Sequence, residues 1–130
     1  MIKEAYCSYE VSKLLKEKGF DEYCRYFYDC DHPNTGYLSN KGYGEYINNS
    51  KVYDGRNLAA CPTHQMAMKW LRESHFLFID IDPLTGNTWT WSIWFMNDPK
   101  QKVGESLQTI STYKEACEAA IKYCLKKIIK

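Results

Sequence analysis

The stretch FLFIDIDPLTGNTWTWSIWFM, residues 76–96, decides how this chain folds. Its two arms, FLFIDID at 76–82 and TWTWSIWFM at 88–96, are rich in the aromatic and β-branched residues that suit a pleated, half-buried surface. Between them, DPLTGN at 82–87 carries turn chemistry, so the stretch reads as two strands joined by a short loop. In the second arm Trp89, Trp91, Ile93 and Phe95 alternate with Thr88, Thr90, Ser92 and Trp94. One strand face is strongly apolar and requires a covering layer.

Three helices can supply it. In SYEVSKLLKEKG, Ser8 is placed to cap a helix, Val11, Leu14 and Leu15 share one side, and Gly19 offers a left-handed ending before Phe20. In CPTHQMAMKWLRES at 61–74, Thr63 can cap, Pro62 restricts the entering chain, and Met66, Ala67, Trp70 and Leu71 form the apolar set. His75 then fills the slot that Gly19 fills in the first helix, again ahead of a phenylalanine. TYKE at 112–115 is a capping box, followed by a stripe of Tyr113, Ala116, Cys117, Ala120, Ile121, Cys124 and Ile128. A further aromatic strand is expected at EYCRYFY, 22–28, and HPNTG at 32–36 repeats the P-x-T-G turn.

These elements predict an α+β fold, a mainly antiparallel sheet packed against helices in the order αββαββα, with an internal near-repeat of helix, strand, turn and strand. A single domain over 1–130 is expected, with a long Gly-, Asn- and Tyr-rich loop at about 40–60.

Composition bounds the function. The 130 residues are 45% hydrophobic and 25% charged, as in ordinary globular proteins, and 17 Lys and Arg face 16 Asp and Glu. No global field draws nucleic acid or an anionic membrane. Apolar runs stop at four residues, FLFI and IWFM, far short of the roughly 18 that span a bilayer. The charged start lacks a secretory apolar region, so a cytoplasmic protein with six reduced cysteines is expected.

SYEVSKLLKEKGFDEYC, CPTHQMAMKWLRE and TYKEACEAAIKYCLKKII together resemble a group of small proteins encoded in phages and integrated mobile elements of gut Bacteroidales. The resemblance implies a genomic context and a cytoplasmic bacterial host. It transfers no activity, cofactor or catalytic residue to this chain.

Three functional classes compete. Cys24, Cys30, His32, Cys61 and His64 present the thiolates and imidazoles that tetrahedral zinc prefers, and would underlie a small metal-dependent enzyme. Their spacing is not that of a standard knuckle, and buried cysteines behave as small apolar residues. Cys61 with His64 lacks a visible orienting group for thiol catalysis, and Asp80 with Asp82 suits a strand end and turn as well as a cation. Cys117 and Cys124 are separated by about 10.5 Å of helix, too far for a disulfide. Arg25, Tyr26, Tyr28, Tyr43, Tyr46 and Arg56 form an aromatic and basic set that could stack single-stranded bases or, as the charge balance favours, engage a host or phage protein. The expectation is a non-catalytic protein-binding accessory module, with no cofactor, no metal and no membrane.

Overall fold

In the computed structural model, which describes residues 3–39, 46–51, 55–97 and 99–130, the elements run in chain order. They are α1 (Tyr9–Glu17), β1 (Tyr26–Asp29), a 3-10 turn (Pro33–Thr35), β2 (Leu38–Ser39), β3 (Leu58–Cys61), α2 (His64–His75), β4 (Leu77–Leu84), β5 (Thr88–Phe95), β6 (Gln101–Glu105), α3 (Tyr113–Tyr123) and a π-helical turn (Cys124–Ile128). The chain divides into two compact units, Met1–Thr63 and His64–Lys130, each with its own three-stranded antiparallel sheet. The α+β class is as expected, and each expected hairpin has gained a third strand, β3 or β6.

In the first unit Ser8 caps α1, its Oγ accepting from the Val11 N–H at 3.2 Å. Val11 and Leu15 are fully buried, and α1 packs on β3. Gly19, at φ +94°, reverses the chain, and the Phe20 N–H donates to the Leu15 carbonyl at 2.9 Å. The sheet order is β2-β1-β3. β1 starts at Tyr26 rather than at residue 22, because Cys24 exchanges both its backbone hydrogen bonds with Ile47, at 2.7 and 3.0 Å, and the chain bends at Arg25. Phe27, Ile47 and Leu58 form a buried cluster with Leu38 against it. The segment expected as loop therefore ends in structure: Asn49 accepts from the Ala60 N–H and donates to the Phe20 carbonyl, both at 2.8 Å, and β3 follows. All four β3 residues are buried, so no alternation marked it.

In the second unit β4 and β5 pair from Leu77↔Phe95 to Leu84↔Thr88, leaving a three-residue loop in which Gly86 and Asn87 take φ of +77° and +58°. Trp91 and Ile93 are buried and Trp89 and Phe95 half-buried, on the face the alternation marked as apolar. α3 covers that face: the Tyr113 ring meets Trp89 and the Tyr123 ring meets Trp91, each with centroids 5.2 Å apart. Thr112 Oγ1 accepts from the Glu115 N–H at 3.0 Å, as the capping box requires.

Three expectations need correction. On α2 the buried residues are His64, Ala67, Met68, Trp70 and Leu71, while Met66 is exposed; the three-and-four spacing from His64 sets the inward side. The left-handed residue after α2 is Phe76, at φ +58°, because His75 remains helical and the Phe76 N–H donates to the Arg72 carbonyl at 3.1 Å. At the end of α3 the wider π turn brings Leu125 into full burial and leaves Ile128 half-exposed. The two units share the order helix then sheet, but the orders β2-β1-β3 and β4-β5-β6 differ, so the near-repeat does not extend to strand connectivity. Among the described residues, no helix is long and apolar enough to cross a membrane.

Candidate functional site

Period-two alternation sends Tyr26 and Tyr28 to one face of β1 and Phe27 and Asp29 to the other. The register Tyr26↔Ser39 and Phe27↔Leu38 brings Tyr37 alongside Tyr28, their ring centroids 6.2 Å apart. The segment before α1 adds Tyr6, held by a bridge to Thr63, and the first turn of α1 adds Tyr9, 5.6 Å from the Tyr28 ring. The Tyr6, Tyr26 and Tyr37 rings touch one another, at 4.9 Å for Tyr6 and Tyr26, 5.2 Å for Tyr6 and Tyr37, and 5.1 Å for Tyr26 and Tyr37. Their inclined arrangement is the one aromatic quadrupoles favour.

Tyr28 anchors this face. It is buried, and its hydroxyl donates to the Cys7 carbonyl at 2.9 Å. Tyr37 is 47% exposed and Tyr6, Tyr9 and Tyr26 are half-exposed, so the outer rings are open to a partner. The Arg25 guanidinium lies 5.6 Å from the Tyr26 ring centroid, a cation–π contact. Burial pushes the Tyr6 phenol above its ordinary range, helped by Tyr26, Tyr37 and the Glu4 carboxylate and opposed by Arg25. At neutral pH it is an uncharged donor.

The six sequence candidates therefore separate. Arg25, Tyr26 and Tyr28 belong to the tyrosine face. Arg56 lies on the opposite one, its guanidinium 5.9 Å from the Phe27 centroid and donating to Asp29 Oδ2 at 3.2 Å. Asp29 also faces His32 Nδ1 at 3.3 Å, and its carboxyl is held below its usual range by the Asp31 backbone N–H first, then by Arg56 and His32. Tyr46 is 54% exposed beside the buried Ile47, and Tyr43 lies outside the described residues. Tyr6, Tyr9 and Tyr37 were missed. Only Tyr37 left a signal, since it follows the P-x-T-G turn at the position a return strand would place opposite Tyr28.

The zinc candidates do not gather. Cys24, Cys30, His32 and Cys61 form no set of converging ligand atoms among the described residues. The Cys24 thiol donates to the Glu22 carbonyl at 3.6 Å and the Cys61 thiol to the Cys7 carbonyl at 3.3 Å. Burial, with Cys61 and Glu22 nearby, pushes Cys24 up to about 12, the wrong direction for a nucleophile. Cys117 and Cys124 are buried in the α3 region, where burial raises both thiols, Cys124 to about 12. His64, 3% exposed at the start of α2, pairs through Nε2 with Glu118 Oε1 of α3 at 2.8 Å. Asp80 and Asp82 fall on the same side of β4 as the exposed Phe78, opposite the buried Leu77 and Ile79.

Compared with known protein families, with curated proteins and with solved structures, the chain matches none.

Proposed function

We propose that the chain is a non-catalytic accessory module that binds a segment of a host or phage protein on its tyrosine face, centred on Tyr26 and Tyr37. The observation that carries this is the mutual contact of Tyr6, Tyr26 and Tyr37 within 5.2 Å while the rings stay partly open to solvent. Rings that hold one another lose little freedom on binding and offer both apolar area and a polar tip, which is why tyrosine is enriched at protein interfaces. Local charge supports a protein in preference to a polyanion: Glu4 and Arg25 act on Tyr6 with opposite sign, and Arg56 is engaged with Asp29 on the other face. The resemblance of the α1, α2 and α3 segments to phage and mobile-element proteins supports an accessory role in a bacterial cytoplasm.

The test is photocrosslinking from residue 37 in bacterial lysate, using a benzophenone amino acid in place of Tyr37. A protease-sensitive, nuclease-resistant adduct that forms at physiological salt and is lost in Tyr26→Ala is expected. Nuclease-sensitive adducts, or the same products from a probe at the solvent-exposed Leu107, would overturn the proposal.

A further inference from the structure

Within the first unit, a cavity of about 400 Å³ opens between α1 and the end of the sheet, lined by Tyr9, Lys13, Lys16, Glu17, Cys30 and Asn57. Its volume is within the roughly 300–1,000 Å³ of small-molecule sites. The four α1 residues fall at i, i+4, i+7 and i+8, on the side of the helix turned away from the buried Val11 and Leu15. The sheet side is tied down. The Cys30 N–H donates to the Asn57 carbonyl at 2.8 Å, and Lys16 Nζ donates to Asn57 Oδ1 at 3.1 Å and to the Leu58 carbonyl at 2.7 Å. Tyr9 is held as a wall by its edge contact with the Tyr28 ring. Both acceptors of Lys16 are neutral, so its ammonium is positioned without a counter-charge and keeps a third donor. Lys13 and Glu17 stand one turn apart, yet among the described residues neither has an ion-pair or hydrogen-bond partner.

We infer that this cavity binds a free α-amino acid with an aromatic side chain, its carboxylate between Lys13 and Lys16, its ammonium on Glu17 and its side chain against Tyr9 and Cys30. The lining selects a zwitterion. A bare anion would meet the Glu17 carboxylate, and a bare cation would meet two ammonium groups, whereas a molecule carrying both charges satisfies all three side chains. A carboxylate has two oxygens, one for each lysine. The interior of a peptide chain carries neither charge and a peptide C-terminus only one of them. The Tyr9 ring supplies the flat surface that another aromatic ring packs on. This site is independent of the protein-binding reading of the tyrosine face, although Tyr9 borders both.

The experiment follows backbone amide shifts of the isotope-labelled full chain by nuclear magnetic resonance during titration with four probes: L-phenylalanine, N-acetyl-L-phenylalanine, L-phenylalaninamide and acetate. Saturable shifts at Lys13, Lys16, Cys30 and Asn57 are expected with phenylalanine. The N-acetyl and amide derivatives each lack one charge and should bind about tenfold more weakly, as the loss of a hydrogen bond to a charged group requires. Glu17→Gln should remove the preference over the N-acetyl derivative and leave that over the amide, and Lys13→Gln should do the converse. Tyr37→Ala should change neither, which separates this site from the tyrosine face. The spectra themselves show that each variant is folded. No saturable shift at these residues with millimolar phenylalanine, acetate binding as tightly as phenylalanine, or preferences unmoved by Glu17→Gln and Lys13→Gln in folded chains would overturn the inference. So would N-acetyl-L-phenylalanine binding as tightly as phenylalanine, since the site would then be one for a peptide C-terminus.

Discussion

Gly104 is the position where one added methyl group should be felt most. On β6 it pairs with Ile93, and a Cβ built there would lie 2.7 Å from Cε1 of Tyr123, 3.2 Å from Cδ1 and 3.3 Å from Cζ. The first distance is below any real carbon–carbon contact, so the ring must move. Its other neighbour is Trp91, 5.2 Å away and 7% exposed, on the face that α3 covers. Overpacking of this kind costs about 1–3 kcal/mol. Alanine in a strand recovers about 0.5–1 kcal/mol through the lower entropy of the unfolded chain. The net expectation for Gly104→Ala is a loss of about 1–2 kcal/mol in urea unfolding, with a change in near-ultraviolet dichroism as the Trp91 and Tyr123 rings reorient. In a Tyr123→Ala background the clash is gone, and Gly104→Ala should become neutral or stabilising. The double-mutant cycle should therefore show a coupling of about 1 kcal/mol or more. Full stability of Gly104→Ala, or strict additivity with Tyr123→Ala, would refute the close packing of β6 against α3.

Further expectations follow from the same structure. Leu125→Ala should cost about 2–5 kcal/mol in urea unfolding, and the half-exposed Ile128→Ala distinctly less; equal effects would contradict the π turn at Cys124–Ile128. Asp29 has a carboxyl lowered in the folded state, so its contribution is present above the ordinary aspartate range near pH 4 and is lost as pH falls through the lowered value. Asp29→Asn should flatten the acid limb of the stability profile, and a parallel profile would dismiss the Asp31, Arg56 and His32 contacts. Iodoacetamide on the folded chain should modify Cys30 first, the other five thiols being buried, with Cys24 and Cys124 slowest because their thiols are pushed up to about 12. Peptide mapping after brief alkylation reads that order.

What could be seen in the sequence was whatever a local rule encodes. Ser8 and Thr112 cap because a hydroxyl three residues ahead of an N–H needs no tertiary help, and the Trp89, Trp91, Ile93, Phe95 alternation survives because α3 buries a single face of β5. Signals failed where tertiary contact decides. Leu58–Cys61 is buried on both faces and β6 is an exposed edge, so neither alternates. Ile128 was placed by extrapolating a 3.6-residue period through a turn that widens. In the candidate site, Tyr26 and Tyr28 were legible from strand alternation, but Arg56 was grouped with them although tertiary contact places it on the opposite face, at Phe27 and Asp29.

Charge arranges these surfaces more than the near-equal totals of 17 and 16 suggest, because cancellation is local. Arg56 meets Asp29 at 3.2 Å, Lys102 meets Glu105 at 3.1 Å, and Lys16 Nζ donates to Asn57 Oδ1 and the Leu58 carbonyl at 3.1 and 2.7 Å. Surface pairs of this kind contribute little to stability, but they remove the long-range field that counterion release would exploit. At the tyrosine face the Arg25 guanidinium lies on the Tyr26 ring beside an opposing Glu4 charge, a short-range feature whose reach is set by contact. Binding there should therefore respond weakly to salt, whereas a polyanion neutralised at several phosphates loses affinity by orders of magnitude between about 50 and 200 mM salt. The salt slope thus bears on the choice of partner class before any partner has a name, and a steep slope for the tyrosine-face adduct would count against the protein-binding proposal.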